Sequence, residues 1–211
     1  MNFGLAFSYL FQEKDWFRKL LIPSLCMLIP FIGWLVALGW ALKIAENIIS
    51  GSEELLPELN FGKDLLRGLF AFLISFVYSL PVTIISSISG WFGNWSWFGG
   101  DVGTVFATLF GGFLGLIAFV LGILASFFSL GAIANYVAKQ DLGAAFRLNE
   151  VAKLLRTNLG DWFIVALGSV LAIGLIGPLG TVACIVGIVL TMTYGFAVTS
   201  HLLGQAYLRS K

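Results

Sequence analysis

The chain has 211 residues, of which 59% are hydrophobic and only 11% are charged, and its mean hydropathy is +0.96. Because ordinary soluble domains carry about 25% charged residues, this composition excludes such a domain and predicts an integral membrane protein. The net charge of +1 offers no concentrated basic surface for a phosphate backbone, so we expect no nucleic-acid partner.

The first predicted element is an amphipathic helix over residues 2–14, whose apolar side chains recur at helical spacing. They are Phe3, Ala6, Phe7, Leu10 and Phe11. Such a helix is expected to lie in the plane of the membrane interface. The segments 53–63 and 141–160 precede later apolar runs in the same way. We therefore expect three amphipathic interfacial helices on the cytoplasmic side.

Four long apolar runs make up most of the chain, at 16–50, 65–89, 103–138 and 161–208. A bilayer core of about 30 Å needs about 20 helical residues, so the first and last runs are too long for one helix each. The last run contains the turn sequence GLIGPLG (174–180), and the first contains IPFIG (29–33). Each is therefore expected to fold back on itself.

These runs predict an all-α, polytopic membrane helical bundle in a single domain, residues 1–211. It contains three helical hairpins, at about 16–50, 65–138 and 161–208. About six membrane segments result. The first of them, 16–29, is short, and the pattern leaves open whether it is re-entrant or a thin full span.

Charge placement sets the expected orientation. With three hairpins, all twelve Lys and Arg residues fall on one side of the membrane, which the positive-inside rule makes cytoplasmic. Both termini are then cytoplasmic. The first and last runs begin with the same tripeptide, Asp-Trp-Phe, and acids stand at the start of three runs. We expect these acids, Asp15, Asp64 and Asp161, to cap the first helical turn.

The stretch GWFGNWSWFGG (90–100) holds three tryptophans and no charge. It falls at the outer turn of the second hairpin, where indole rings favour the headgroup layer. We expect interface anchors there and at the two Asp-Trp-Phe sites, namely Trp91, Trp95, Trp97, Trp16 and Trp162. The alternative is that the ring cluster receives a lipophilic ligand or the apolar edge of a partner subunit.

Small residues form stripes along several predicted helices, and such stripes allow close packing of backbones. The positions expected to pack most closely are Gly111, Gly115, Ala118, Gly122, Gly187 and Gly195. No Asp, Glu, Lys or Arg is expected near the middle of a span, which disfavours an ion or proton pathway. No nucleophile stands beside a base and no carboxylate pair has hydrolase spacing, so we expect no enzyme.

The two cysteines, Cys26 and Cys184, lie alone inside apolar runs and indicate neither a disulfide framework nor a metal site. No cofactor is required by the sequence. A planar lipophilic cofactor would need a ligand atom with room beside it, and His201, flanked by Ala197 and Gly204, is the candidate for such a site. A helix-end histidine bonded to a carbonyl or a headgroup is the alternative reading.

Two stretches, 15–81 and 132–168, carry a family resemblance. Its features are the early Asp-Trp, Gly39-Trp40, the tripeptide LPE (56–58), Tyr78, Pro81 and Ala145-Phe146. On these the chain resembles the prokaryotic membrane proteins catalogued as domain of unknown function 4013, which tend to have Gly-Tyr where this chain has Gly39-Trp40. The resemblance implies a multi-pass protein of the prokaryotic cytoplasmic (inner) membrane and implies no activity.

The expected function is a non-catalytic scaffold or accessory subunit that binds membrane lipids and a membrane-protein partner or a second copy of itself. The alternatives are a transporter or permease for a small or lipophilic solute and, third, a subunit that binds a lipophilic cofactor.

Overall fold

The structure, a computed structural model, describes residues 1–52, 54, 56–95 and 100–211. Helices make up 88% of it, and the described residues contain no strand. The α-helices are α1 (Phe3–Ser8), α2 (Trp16–Cys26), α3 (Ile32–Ser50), α4 (Phe61–Trp95), α5 (Gly100–Lys139), α6 (Leu142–Ala145), α7 (Leu148–Thr157), α8 (Leu159–Ser169), α9 (Gly177–Leu179) and α10 (Cys184–Ser210). Tyr9–Gln12 and Gly180–Ala183 are 3-10 turns, and Val170–Ile176 is π-helical.

Five helical segments of the described chain are long and apolar enough to cross a bilayer. They are Ile32–Ser50, Phe61–Phe92, Gly103–Lys139, Leu159–Val182 and Val186–Ser210. The all-α membrane fold predicted from composition is therefore confirmed. The expected first segment holds only the 11 residues of α2, which extend about 16 Å and fall short of a bilayer core.

The chain forms two compact units. The first unit contains residues 1–74 and 130–211, and the second contains residues 75–129. Helix α10 is the centre of the first unit, where it contacts α2, α3 and α8. Its side chains Ala197, Leu202 and Ala206 are fully buried, as expected of a helix that is covered by protein on several sides.

Helix α10 runs antiparallel to the helical segment that precedes it. The Thr191 hydroxyl donates to the carbonyl of Gly177 at 2.6 Å, and the Arg209 guanidinium lies 3.3 Å from the Asp161 carboxylate. These two pairings place the reversal near residue 184. The turn expected at 174–180 is therefore wrong: Pro178 lies in the first turn of α9, where a helix does not need its missing N–H.

The break in the first run occurs at residues 27–31, where Phe31 has a positive φ of 62° and α3 begins at Ile32. This position overlaps the interruption expected at 29–33. The chain reverses there, since the Lys19 ammonium near the start of α2 donates to the carbonyl of Leu56, beyond the end of α3. Helices α2 and α3 thus form an antiparallel pair.

The N-terminal segment 2–14 packs on protein. Ala6, Tyr9 and Leu10 are fully buried, and the Tyr9 hydroxyl donates to the carbonyl of Ala197 on α10 at 3.3 Å. Burial raises the pKa of Tyr9 well above its usual value, so the phenol stays protonated and able to donate. Helix α10 therefore covers one side of the segment, and its position in the membrane interface stays a prediction.

The other two lead-in segments differ from each other. Residues 54 and 56–60 are not helical, which corrects the helix expected over 53–63. Four of their carbonyls, those of Glu54, Leu56, Pro57 and Glu58, accept from side chains. Residues 141–160 contain α6 and α7, with Val151 and Leu155 buried. Glu150 accepts hydrogen bonds from Lys139 and Asn135, and these bonds lower the pKa of its carboxyl.

Helices α3 and α4 cross with their backbones in contact. A Cβ atom built on Gly39 would lie 1.8 Å from the carbonyl oxygen of Asp64, and one built on Gly68 would lie 1.9 Å from that of Leu35. Only glycine permits this approach at either position. The crossing brings the middle of α3 against the first turns of α4.

We expect Gly68→Ala to lower the unfolding temperature in detergent, because overpacking costs about 1–3 kcal/mol and the atom it strikes is backbone. Gly62→Ala is the matched control in the same helix, since nothing lies within 4 Å of its added carbon. It should be neutral or stabilising by up to about 1 kcal/mol. Equal unfolding temperatures for the two variants would contradict the close crossing.

Candidate functional site

A buried ion pair lies at the crossing of α3 and α4. The Lys43 ammonium is 2.8 Å from the Asp64 carboxylate, and the Asp64 side chain is 0% exposed. Lys43 stands two residues past residue 41, the midpoint of α3. The expectation that no charged residue lies near the middle of a span is therefore wrong for Lys43. An ionisable group at such a position is the first candidate for a functional site in a membrane protein.

The second part of this site is a non-helical segment that we call the strap, residues 54 and 56–60. Side chains of α3 donate to its carbonyls: Asn47 to Glu54 at 3.1 Å, Trp40 to Pro57 at 2.8 Å and Lys43 to Glu58 at 2.6 Å. The strap thus runs back along α3 from its end toward its middle. Leu56 and Pro57 are the buried residues of the strap, and their carbonyls accept from Lys19 and Trp40, so they avoid the cost of unpaired backbone groups. Glu54, Glu58 and Asn60 are exposed.

Asp64 also closes the first turn of α4. Its Oδ2 atom accepts the N–H of Asn60 at 2.7 Å, while the Asn60 side chain accepts the N–H of Lys63 at 3.3 Å. This is the reciprocal arrangement of a capping box, displaced by one residue. The other carboxylate oxygen, Oδ1, is buried and has no hydrogen-bond partner among the described residues. Asp64 therefore combines a structural role with one unused acceptor.

The two other run-starting acids behave differently from the expected caps. Asp15 precedes α2 and its side chain makes no capping hydrogen bond, which corrects that expectation. Asp161 lies in the first turn of α8, where its carboxylate accepts from the side chains of Asn158 at 2.7 Å and Arg209 at 3.3 Å. The two copies of the Asp-Trp-Phe tripeptide therefore lie in different environments: the first acid makes no capping hydrogen bond, and the second accepts from two side chains.

Further ion pairs surround the Lys43–Asp64 pair. Arg67 lies 2.7 Å from Glu46 and joins α4 to α3, and Lys19 lies 3.0 Å from Glu13. Lys19 also donates to the strap carbonyl of Leu56 at 2.8 Å. The charged groups therefore connect α2, α3, α4 and the strap. In the described chain, no group of three or more His, Cys, Asp and Glu could hold a metal ion.

The space expected beside His201 is filled by protein. The Tyr9 ring stacks on the imidazole with 4.1 Å between ring centroids, and Gln205 lies 3.0 Å from its Nδ1 atom. Gly204 faces α3, since an added Cβ there would lie 3.0 Å from the carbonyl oxygen of Ala45. Ala197 is fully buried. A macrocycle ligated by a ring nitrogen of His201 would need open space beside Ala197 and Gly204, and protein fills that space.

The expected tryptophan anchors fall into three groups. Trp91 is 61% exposed, and Trp16 is partly exposed with Phe11 and Phe17 in edge contact with its ring. Trp162 is fully buried and its indole N–H donates to Ser210 at 3.1 Å, so the structure replaces its anchor role with packing. Trp97 and the side chain of Trp95 lie outside the described residues.

The small residues expected to pack helices occupy two settings. In α10 they meet backbone: an added Cβ on Gly195 would lie 2.8 Å from the carbonyl oxygen of Ala172, and the carbonyl oxygen of Gly187 lies 2.3 Å from an added Cβ on Gly180. Gly111 of α5 accepts a hydrogen bond from Ser89 at 2.7 Å. Beyond it the stripe opens, because Gly115, Ala118 and Gly122 line a groove instead of a closed contact.

This groove lies within the second unit and was not expected from the sequence. It encloses about 590 Å³ and is lined by Val82, Ser86, Ser89, Gly115, Ala118, Phe119, Gly122, Ile123 and Ser126. Ser126 bonds to the carbonyl of Gly122 on its own helix. The Ser86 hydroxyl is exposed and makes no hydrogen bond to a described residue. The groove therefore combines small side chains with a free donor.

The long apolar helices, the non-helical strap bonded to α3 and the buried ion pair define a multi-helix membrane protein. Its sequence places it in a family: residues 22–200 match the family described as "Protein of unknown function (DUF4013)", and the chain belongs to it. The match includes Gly39-Trp40 and the LPE tripeptide, which meet each other in the Trp40–Pro57 hydrogen bond. Neither a curated protein nor a solved structure matches the chain.

We expect Lys43→Met and Asp64→Leu each to lower the free energy of unfolding by about 3–5 kcal/mol, because each leaves the other charge without its partner. The double variant should recover most of this loss, since it buries no unpaired charge. Denaturant titration in detergent measures all three.

Arg147→Met provides the control for these substitutions, because it breaks an ion pair to Asp141 whose side chains are about half exposed. Exposed pairs contribute about 0–1 kcal/mol, so this variant should stay close to the wild type. Single variants no worse than Arg147→Met, or a double variant that loses the sum of both single losses, would contradict the role assigned to the buried pair.

Proposed function

We propose that this protein is a non-catalytic scaffold or accessory subunit of the prokaryotic cytoplasmic membrane that binds a helix of another membrane protein. The groove of the second unit is the observation that carries the proposal. Lipid is as apolar as leucine, so helices in a bilayer associate where small residues let backbones approach and where hydroxyls can bond. Gly115, Ala118 and Gly122 supply the first property, and Ser86 supplies the second.

The occupant proposed for the groove is one transmembrane helix of a partner protein. Large apolar side chains line this groove and are widely exposed, namely Phe119 at 66% and Ile123 at 47%. Against lipid alone, a groove lined by Gly and Ser gains little contact. A helix with its own small residues would fill it, gain van der Waals contact and accept a hydrogen bond from Ser86.

A transporter for a small or lipophilic solute is the second candidate. One observation favours it, the buried Asp64 carboxylate with an unbonded Oδ1 atom beside Lys43, since coupling ions and protons bind at such groups. Lys43 and the Asn60 N–H already satisfy the other oxygen, Oδ2. We rank this reading second because the pair also has a full structural explanation at the helix crossing.

We further propose that both termini are cytoplasmic and that α2 and α3 form a re-entrant pair. The Thr193 hydroxyl donates to the Met27 sulfur at 3.1 Å, so the turn after α2 lies beside Thr193. Thr193 is nine residues from the start of α10 at Cys184, or about 14 Å along the helix. A turn at that depth supports a pair of helices that enters the membrane and returns to the same side.

Filling the groove should release the partner. We expect Gly115→Leu and Gly122→Leu to reduce the stoichiometry of the bound protein at least about tenfold, a loss of about 1.4 kcal/mol. A photo-crosslinker at Ser86 reports the contact directly. Gly112→Leu is the matched control on α5, because nothing lies within 4 Å of its added Cβ. A monomeric wild type, or groove variants that keep the partner as well as Gly112→Leu does, would contradict the proposal; a second copy of the chain as the crosslinked species would assign the groove to self-association.

Cysteine labelling tests the topology in a variant with Cys26 and Cys184 changed to serine. Val182, before α10, and Phe31, in the turn after α2, are 89% and 87% exposed. We expect an impermeant maleimide outside the cell to label Val182→Cys and to spare Phe31→Cys, because only the former reaches the outer surface in the proposed topology. Equal labelling rates would show that α2 and α3 cross the whole membrane.

A further inference from the structure

A cavity of about 240 Å³ lies in the first unit, between one face of α2 and the strap. It is lined by Asp15, Arg18, Lys19, Ile22, Glu58 and Leu59. Arg18, Lys19 and Ile22 of α2, together with Asp15 just before it, follow the spacing that puts side chains on a single helical face. The strap, held against α3 by the bonds described above, forms the other wall.

Three of the four charged side chains that line this cavity have no partner among the described residues. Lys19 is engaged by Glu13 and by the carbonyl of Leu56. Arg18, Asp15 and Glu58 are exposed, and their side chains make no hydrogen bond or ion pair with the described residues. One free guanidinium therefore faces the same space as two free carboxylates.

A ligand that satisfies all three groups must carry an anion and a cation a short distance apart. Guanidinium groups favour phosphate, with which they form paired, charge-assisted hydrogen bonds. Carboxylates accept hydrogen bonds from an ammonium group, which has three donors. Phosphoethanolamine has both groups on a two-carbon link. The cavity is below the range of about 300–1,000 Å³ typical of sites for whole drug-sized ligands, so it suits a headgroup better than a complete molecule.

The surroundings indicate that the ligand arrives from the membrane. Ile22 lines the cavity and is 43% exposed, which leaves an apolar side along which a glycerol and its acyl chains can continue. Trp16 and Phe17, at the start of the same helix, have their rings in edge contact with centroids 5.6 Å apart. Partly exposed aromatic rings of this kind are typical of the headgroup level.

We propose that this cavity binds the headgroup of phosphatidylethanolamine, with the phosphate at Arg18 and the ammonium between Asp15 and Glu58. The site lies in the first unit and the groove in the second, so evidence against one of the two proposals leaves the other intact. Phosphatidylcholine has the same charges but its quaternary ammonium has no N–H to donate. Phosphatidylglycerol has no ammonium at all. Selectivity for ethanolamine over both lipids is the signature of the site.

The experiment compares the full-length protein in nanodiscs that contain phosphatidylglycerol with added phosphatidylethanolamine, added phosphatidylcholine or neither. We expect the unfolding temperature to be highest with phosphatidylethanolamine, because a ligand that binds only the folded state stabilises it. Native mass spectrometry should show retained ethanolamine lipid in at least about tenfold excess over choline lipid, the ratio that a charge-assisted bond provides.

Arg18→Gln and Glu58→Gln should each abolish this preference while leaving the unfolding temperature without ethanolamine lipid unchanged, since both side chains are exposed and unpaired. Lys14→Gln removes a charge next to the site without lining the cavity and should keep the preference. Equal retention of the three lipids, or variants that retain the preference, would overturn the proposal. Stabilisation by soluble phosphoethanolamine equal to that by the lipid would also overturn it, by assigning the site to a soluble ligand.

Discussion

The structure of the first unit depends on one constraint: a backbone carbonyl that leaves a helix inside a membrane protein needs a donor from the protein itself. The strap leaves the helical state between α3 and α4, and four of its carbonyls are met by side chains. Three of these donors, Trp40, Lys43 and Asn47, project from α3, and Lys19 of α2 is the fourth. The hydrogen bond to the strap thus explains why a charged residue, Lys43, lies near the middle of α3.

The position of Lys43 also requires α3 and α4 to meet closely. Gly39 and Gly68 let the backbones of α3 and α4 touch, and this contact brings Asp64 to Lys43. If α3 and α4 lay further apart, the Lys43 ammonium would keep its hydrogen bond to the Glu58 carbonyl but lose the Asp64 carboxylate. Close packing and charge pairing therefore stabilise one another, and each would be costly alone. The strap, so held, is also one wall of the cavity beside α2.

Parts of this arrangement could be anticipated from the sequence and others could not. The turn after α2 could be predicted from IPFIG, and Gly39-Trp40 and LPE could be recognised as features of the family. Their contact was not visible, because it joins residues 17 apart through a non-helical segment. The pairing of Tyr9 with His201 joins residues 192 apart, and nothing local to either residue indicates it. The open groove could not be predicted, because a stripe of small residues has the same sequence pattern whether or not a second helix covers it.

The sequence by itself determined that the chain is helical and belongs in a membrane, because apolar run length and charge content decide the solvent in which each segment is stable. It could not determine which polar groups would be paired inside. From the sequence, Lys43 was expected among the cytoplasmic basic residues, Asp64 as a helix cap and His201 as a candidate ligand, and the contacts with distant elements changed these assignments. Only the tertiary structure decided their roles, since the free energy of a buried charge or ring depends on the partner that the fold brings within a few ångströms, and the sequence around the residue does not name that partner.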